Sequence, residues 1–263
     1  MIDLIPVTTD IEILSDYLWS IGVAAIEEIQ GTSGNTLRTS VGESPQAIIE
    51  SIVTKFPDVV SHVVGVPRVV ADTWRQFAEP TWITSEIVLV PAWLDAPPHS
   101  TPIFIEPLDT FGLGNHPTTV LALQEALTHV VAGSIVLDVG CGSGVLAVAI
   151  SQLRQVEVFA FDIAESSQQA VHINSERNNV SNITWAPQWE TLKADVVLAN
   201  ILAPVLQELS SCIQDVLTNG GFVVLSGMRT EQVEAVLEHY ERCKEISRST
   251  LEGWTAVTLQ KIS

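Results

Sequence analysis

Three glycines at alternate positions, Gly140, Gly142 and Gly144, follow directly on the run Ile135-Val136-Leu137-Asp138-Val139. The run reads as a buried parallel strand, and Val145 to Ile150 behind the glycines as a helix packed on a sheet. Glycine permits a tight turn and lets the backbone approach a ligand that any Cβ would hold off. Such a turn, at the carboxyl end of the first strand of an open α/β sheet, is a nucleotide site. Asp162 ends a second strand, Val156 to Phe161, about 20 residues past the glycines, where a carboxylate accepts hydrogen bonds from ribose hydroxyls. Its alternative use is to cap the helix beginning near Glu165.

Spacing selects the ligand. A dinucleotide loop sets its third glycine three residues after the second, to cradle a pyrophosphate. Alternation with a preceding acid, Asp138, fits S-adenosylmethionine instead, whose amino-acid end is zwitterionic and carries no phosphate. Cys141 within the loop invites a nucleophilic role, but a small side chain filling a tight turn explains it better. With Cys212 and Cys243 it makes an odd set without metal or disulfide spacing, which points to reduced thiols, a cytoplasmic location and no metal.

The elements that must hold this loop alternate helix and strand from Thr118 onward. Leu121 to Val131, Gln168 to Asn178, Pro204 to Leu217 and Glu231 to Tyr240 read as helices. Ile183 to Trp185, Ala194 to Ala199, Phe222 to Ser226 and Trp254 to Leu259 read as further strands. The expected fold is α/β, a doubly wound Rossmann-like sheet with one late strand pair, the shape of class I methyltransferases. Residues 1–66 follow the order βαββαβ, a small ferredoxin-like α+β domain, with Ser44 and Pro45 starting its second helix. Residues 67–104 are rich in proline and tryptophan and read as a linker whose aromatics pack as hinge anchors. Domains are thus expected at 1–66 and 105–263, with the linker between.

Charge narrows the partners. The 263 residues hold 31 acids and 12 bases, a net charge of −19. Such a surface repels nucleic acid and anionic lipid and steers a basic partner inward. Solubility alone is a sufficient alternative reason for the acidity. No apolar run has the length of a membrane span, and Met1-Ile2-Asp3-Leu4 lacks the basic and apolar parts of a signal peptide.

Two further strings, Phe111-Gly112-Leu113-Gly114-Asn115-His116-Pro117-Thr118-Thr119 and Asp195-Val196-Val197-Leu198-Ala199-Asn200-Ile201-Leu202-Ala203, complete a pattern. With Asp138 to Gly144 and the ending Gly253-Trp254-Thr255-Ala256-Val257, they resemble the PrmA family. Its members methylate lysines and the N-terminal amine of large-subunit ribosomal protein eleven. The resemblance runs from about Asp72 to the C-terminus. It implies that Thr119 lies near the methionine end of the cofactor, that Gly140 and Gly142 belong to its loop, and that Asp162 holds the ribose. It further implies Asn200 at the methyl group as the catalytic residue, and Phe111 and His116 in a mobile lid. His116 reads equally as a histidine that fixes the turn beside Pro117, and Asn200 has the alternative of capping the helix near Pro204. The family's ferredoxin-like domain holds the ribosomal protein. The lid departs from the family at Thr110, Leu113, Asn115 and Leu108, which bears on lid geometry and substrate range. Other amine substrates on the same site, or a non-catalytic ribosome-assembly factor with the same fold, are the competing readings.

Overall fold

The structure is a computed structural model that describes all residues except 1, 7–10, 21–22, 24–25, 32–33, 40–44, 64–72, 109, 111 and 263. Ser44 and Phe111 therefore lie outside the described residues. The chain divides into two compact units, 1–78 and 79–263.

The first unit contains β1 (Ile2–Pro6), α1 (Ile11–Ser20), β2 (Ile26–Gly31), β3 (Gly34–Thr39), α2 (Pro45–Lys55) and β4 (Val59–Val63). Its strands lie in the order β2-β3-β1-β4 with every pair antiparallel, the ferredoxin-like arrangement. Leu14 and Leu18, one helical turn apart, share a face of α1 and are buried with Leu4, Leu37, Ile52 and Val59.

The second unit begins within the expected linker. β5 (Thr81–Trp82), β6 (Ile87–Pro91) and β7 (Thr101–Ile105) form a three-stranded sheet, β6 and β7 running parallel. Residues 67–104 are therefore not a simple connector. Val88, Leu89, Val90, Ile103 and Ile105 are apolar enough to be buried, so this stretch carries core of its own.

A seven-stranded sheet follows. It comprises β8 (Ile135–Val139), β9 (Glu157–Phe161), β10 (Ile183–Trp185), β11 (Ala194–Asn200), β12 (Leu217–Arg229), β13 (Cys243–Leu251) and β14 (Trp254–Lys261). The order is β10-β9-β8-β11-β12-β14-β13, parallel except for β14, which runs antiparallel to both neighbours. This is the expected class I methyltransferase fold, with one strand, β13, that the sequence reading did not place. Alternate residues face opposite layers. Val136, Val196, Leu198 and Val224 face α3 (Pro117–His129) and α4 (Val145–Leu153), while Leu137, Val139, Val197, Ala199, Val223 and Leu225 form the other core. That second core is closed by α6 (Ala203–Glu208), α7 (Ser210–Val216) and α8 (Val233–Leu237). The single helix expected over Pro204 to Leu217 is thus two, meeting at Leu209. α5 (Glu165–Arg177) is polar and buries only Ser167, Ala170, Val171 and Asn174. No described helix is long and apolar enough to cross a membrane.

Candidate active site

The glycine turn lies where β8 passes into α4. All three glycines take positive φ: 74° at Gly140, 53° at Gly142 and 78° at Gly144. A Cβ on Gly140 would run into the side chain of Ile201, and one on Gly144 would stand 2.8 Å from Val171 Cγ2. The turn therefore needs glycine for its backbone and for its neighbours. Gly140 N and Cys141 N both donate to Phe161 O, at 2.8 and 3.0 Å, which ties the turn to the end of β9.

Asp162, the next residue, binds the turn a second time. Its Oδ2 accepts from Gly142 N at 2.8 Å and its Oδ1 from Ala164 N at 2.8 Å. Ala164, not Asp162, is the N-cap residue of α5, and it has no side-chain cap bond. The carboxylate is thus a clasp on the glycine turn. Each oxygen keeps a lone pair for a further donor.

Beneath the turn, Asp138 is 1% exposed. Its Oδ2 accepts from Ala147 N at 3.0 Å, while its Oδ1 has no partner among the described residues. Burial pushes this carboxyl up to about 7, against the Ala147 bond that favours the anion, and Asp162 adds repulsion. Burial first, then Asp138 and Asp162, raise the Cys141 thiol far above its ordinary value. A buried thiol without thiolate character fills space, as the sequence suggested.

β11 brings Asn200 to the same edge of the sheet. Its Nδ2 donates to Thr119 Oγ1 at 3.3 Å, and its Oδ1 is buried without a donor among the described residues. The N-cap of α6 is Leu202, so Asn200 does not cap that helix. Thr119, fully buried, is held by its neighbour: Ser226 Oγ donates to Thr118 O at 2.9 Å. Ser226 O in turn accepts from Ile201 N at 3.2 Å. β12 bulges between Leu225 and Met228, and there Gly227, at φ 88°, passes the Ile201 backbone so closely that no Cβ would fit.

His116 is the N-cap of α3, with Pro117 at the first helical position. Its Nδ1 accepts from Thr118 N at 3.4 Å and lies 2.8 Å from Thr118 Oγ1. The ring meets Trp254 edge-on, centroids 4.8 Å apart, and Arg229 stacks over Trp254 at 4.0 Å. Burial, then Arg229, hold His116 below its usual range, so it is neutral at pH 7. α3 consequently starts four residues earlier than the apolar periodicity indicated.

The structure thus brings Thr119, Gly140, Gly142, Asp162, Asn200 and His116 to the carboxyl-terminal edge of β8, β9, β11 and β12. Asn174 and Ser226 escaped the sequence, while Ser143 and Ile201 stood in its motifs without these contacts. Asn174 and Asn178, four apart on a polar helix, were the one legible signal. Their amides bond the backbones of Glu106 and Phe104.

Comparison with known proteins identifies a family. The family model described as ribosomal protein L11 methyltransferase (PrmA) matches residues 70–262. A ribosomal protein L11 methyltransferase of Oceanobacillus iheyensis is 32% identical over 203 residues, 73% of this chain and 64% of that protein. One of Shigella sonnei is 41% identical over 172 residues, 64% of this chain and 59% of that protein. The chain thus spans about three fifths of the length of these curated relatives. A crystal structure of a ribosomal protein L11 methylase from Lactobacillus delbrueckii subsp. bulgaricus superposes with a TM-score of 0.64 at 26% identity. It covers 71% of this chain and 100% of its own. The family model matches well over half of the chain, and the chain belongs to the ribosomal protein L11 methyltransferase (PrmA) family.

Proposed function

We propose that the protein transfers a methyl group from S-adenosylmethionine to lysine side chains, and to the N-terminal amine, of ribosomal protein L11. The observation that carries this reading is the Asn200 amide. Its Nδ2 is engaged by Thr119, and its buried Oδ1 lacks a donor among the described residues, beside a turn that only glycine can make. An unmade buried hydrogen bond costs about 1–3 kcal/mol, which a substrate N–H recovers.

The residues present fit the cofactor. Gly140, Gly142 and Thr119 would hold its amino-acid end and Asp162 its ribose, with Phe111 and His116 over it. When bound, it supplies an electrophilic methyl group on a sulfonium. The chain's own work is then positioning. Thr119 fixes which way the Asn200 amide faces, so that Oδ1 accepts an amine N–H and aims the lone pair. A lysine has pKa about 10.4, so roughly one amine in 2,500 is neutral at pH 7. His116 is engaged as a cap, and we assign the lost proton to water. Asn200-Ile201-Leu202 replaces the Asn-Pro-Pro-aromatic string of enzymes that methylate planar nitrogens, and the lack of an aromatic clamp suits a flexible aliphatic amine and repeated methylation.

Charge agrees with a basic substrate. No lysine or arginine falls between Arg75 and Arg154, a span that contains the glycine turn, Thr119 and His116. We assign the ferredoxin-like unit to recognition of the ribosomal protein, and place the enzyme in the cytoplasm without a nucleic-acid or membrane partner. The test is mass spectrometry of purified ribosomal protein L11 after incubation with protein and S-adenosylmethionine. Mass gains of one methyl group or its multiples on lysine are expected. An unmodified protein alongside a labelled band elsewhere in a lysate would redirect the reading to another amine.

A further inference from the structure

Ser143 stands between two glycines of the cofactor turn and is fully buried. Placed one residue before the N-cap of α4, a serine has helix amides in reach to cap. It does not cap: Gly144 is the N-cap and has no side-chain bond. Ser143 Oγ turns the other way and donates to Gly112 O at 2.5 Å. Its own carbonyl accepts from Asn174 Nδ2 at 2.9 Å. Asn174, also fully buried, exchanges two further bonds with one residue, accepting from Glu106 N at 2.8 Å and donating to Glu106 O at 2.9 Å. The stretch leaving β7 is therefore pinned to the turn at two points, Glu106 through Asn174 and Gly112 directly. Gly112 sits at φ 108°, and a Cβ there would stand 2.9 Å from Ser143 Oγ. Only glycine brings that carbonyl to the serine.

We propose that Ser143 is a positioning residue that couples the two structures: an adenosyl ligand seated in the turn also orders the backbone around Gly112, and that order retains the ligand. This rests on the cofactor reading above. The coupling is reciprocal, because a bond that ties two sites shifts both equilibria by one factor. Both partners of the bond are buried, so neither exchanges it for water without local opening. Ser143 itself transfers nothing; it acts through the turn and through Gly112.

The test is amide hydrogen exchange of the whole chain with and without saturating S-adenosylhomocysteine, joined to ligand dissociation rates. In the unaltered protein, exchange slows across both 138–146 and 112–118. In Ser143→Ala, slowing across 138–146 persists, while that across 112–118 drops from about tenfold to under about twofold, and dissociation speeds about tenfold. Gly112→Ala breaks the same contact from the other side, its Cβ displacing the Ser143 hydroxyl while every residue of the turn keeps its identity, and gives the same pattern. The double variant loses no more than either single one. Full protection of 112–118 in Ser143→Ala, or additive losses in the double variant, overturns the coupling. No slowing across 138–146 in the unaltered protein overturns the cofactor reading itself and is thereby told apart.

Discussion

Asn200 and Asp162 sit at the same sheet edge but answer to different measurements. Asn200→Ala keeps the turn and its clasp, so binding of S-adenosylhomocysteine by calorimetry changes little while turnover falls at least about tenfold. Unchanged turnover removes Asn200 from the chemistry. Asp162→Ala removes acceptors for two backbone donors, Gly142 N and Ala164 N. It therefore loosens the glycine turn and removes the ribose acceptor, and weakens ligand binding by about tenfold or more. Asp138 makes a prediction about pH. Its folded pKa, about 7, lies above the ordinary 3.8, so the folded state binds the extra proton between about pH 4 and 7. The stabilisation from Asp138 is complete below that window and is lost as pH rises through it. Asp138→Asn should flatten the fall in melting temperature between pH 5 and 8 relative to the unaltered chain. Parallel curves would show that the carboxyl does not titrate there.

At the scale of elements, legibility followed hydrophobic pattern. β8, α4 and β11 are near-continuous apolar runs, and their place in the order was readable because period and length agree with burial. Polar elements were harder. α5 buries only two apolar side chains, Ala170 and Val171, beside Ser167 and Asn174, and the first turn of α3 holds Thr118 and Thr119, bonded to Ser226 and Asn200 from distant strands. The sheet at 81–105 was hidden because prolines looked like breakers, yet Pro91 and Pro102 sit inside paired strands. Of the site, the residues in short motifs were visible. Ser226 and the contacts of Ile201 were not, because they arise from pairing β11 with β12. Glu125, in mid-α3, illustrates the same limit: it accepts from Ser247, Ser249 and Thr258 on β13 and β14. Burial raises this carboxyl, and the three hydroxyl bonds outweigh that and hold it below its usual value. Glu125→Ala leaves the hydroxyls without their acceptor and should lower stability by about 1–3 kcal/mol, measured by urea unfolding.

Over the whole molecule, the net charge of −19 is sharpened by how the cations are used. Arg154, Arg177, Lys193 and Lys261 donate to backbone carbonyls, and Arg242 and Arg248 pair with acids. With 12 bases against 31 acids, the net field is negative. Association with a basic protein should therefore slow as ionic strength rises, because screening shortens to about 8 Å at physiological salt. Stopped-flow association between about 20 and 300 mM salt should show at least a severalfold fall for ribosomal protein L11. Binding of S-adenosylhomocysteine, set by short contacts, should barely move. Equal sensitivity of both would assign the acidity to solubility alone.

β14 lies between β12 and β13, antiparallel to both. This fixes a timetable for synthesis. While the ribosome extends the nascent chain, β8 to β12 can pair side by side as they emerge. β13 cannot join them, because every strand bond it makes is to β14. Closure of the sheet waits for Trp254 to Lys261 to clear the exit tunnel, whereupon two strands dock together. Arrested chains ending before Gly253 should remain protease-sensitive at Cys243 to Leu251, whereas chains extended past Lys261 by the tunnel's length should resist.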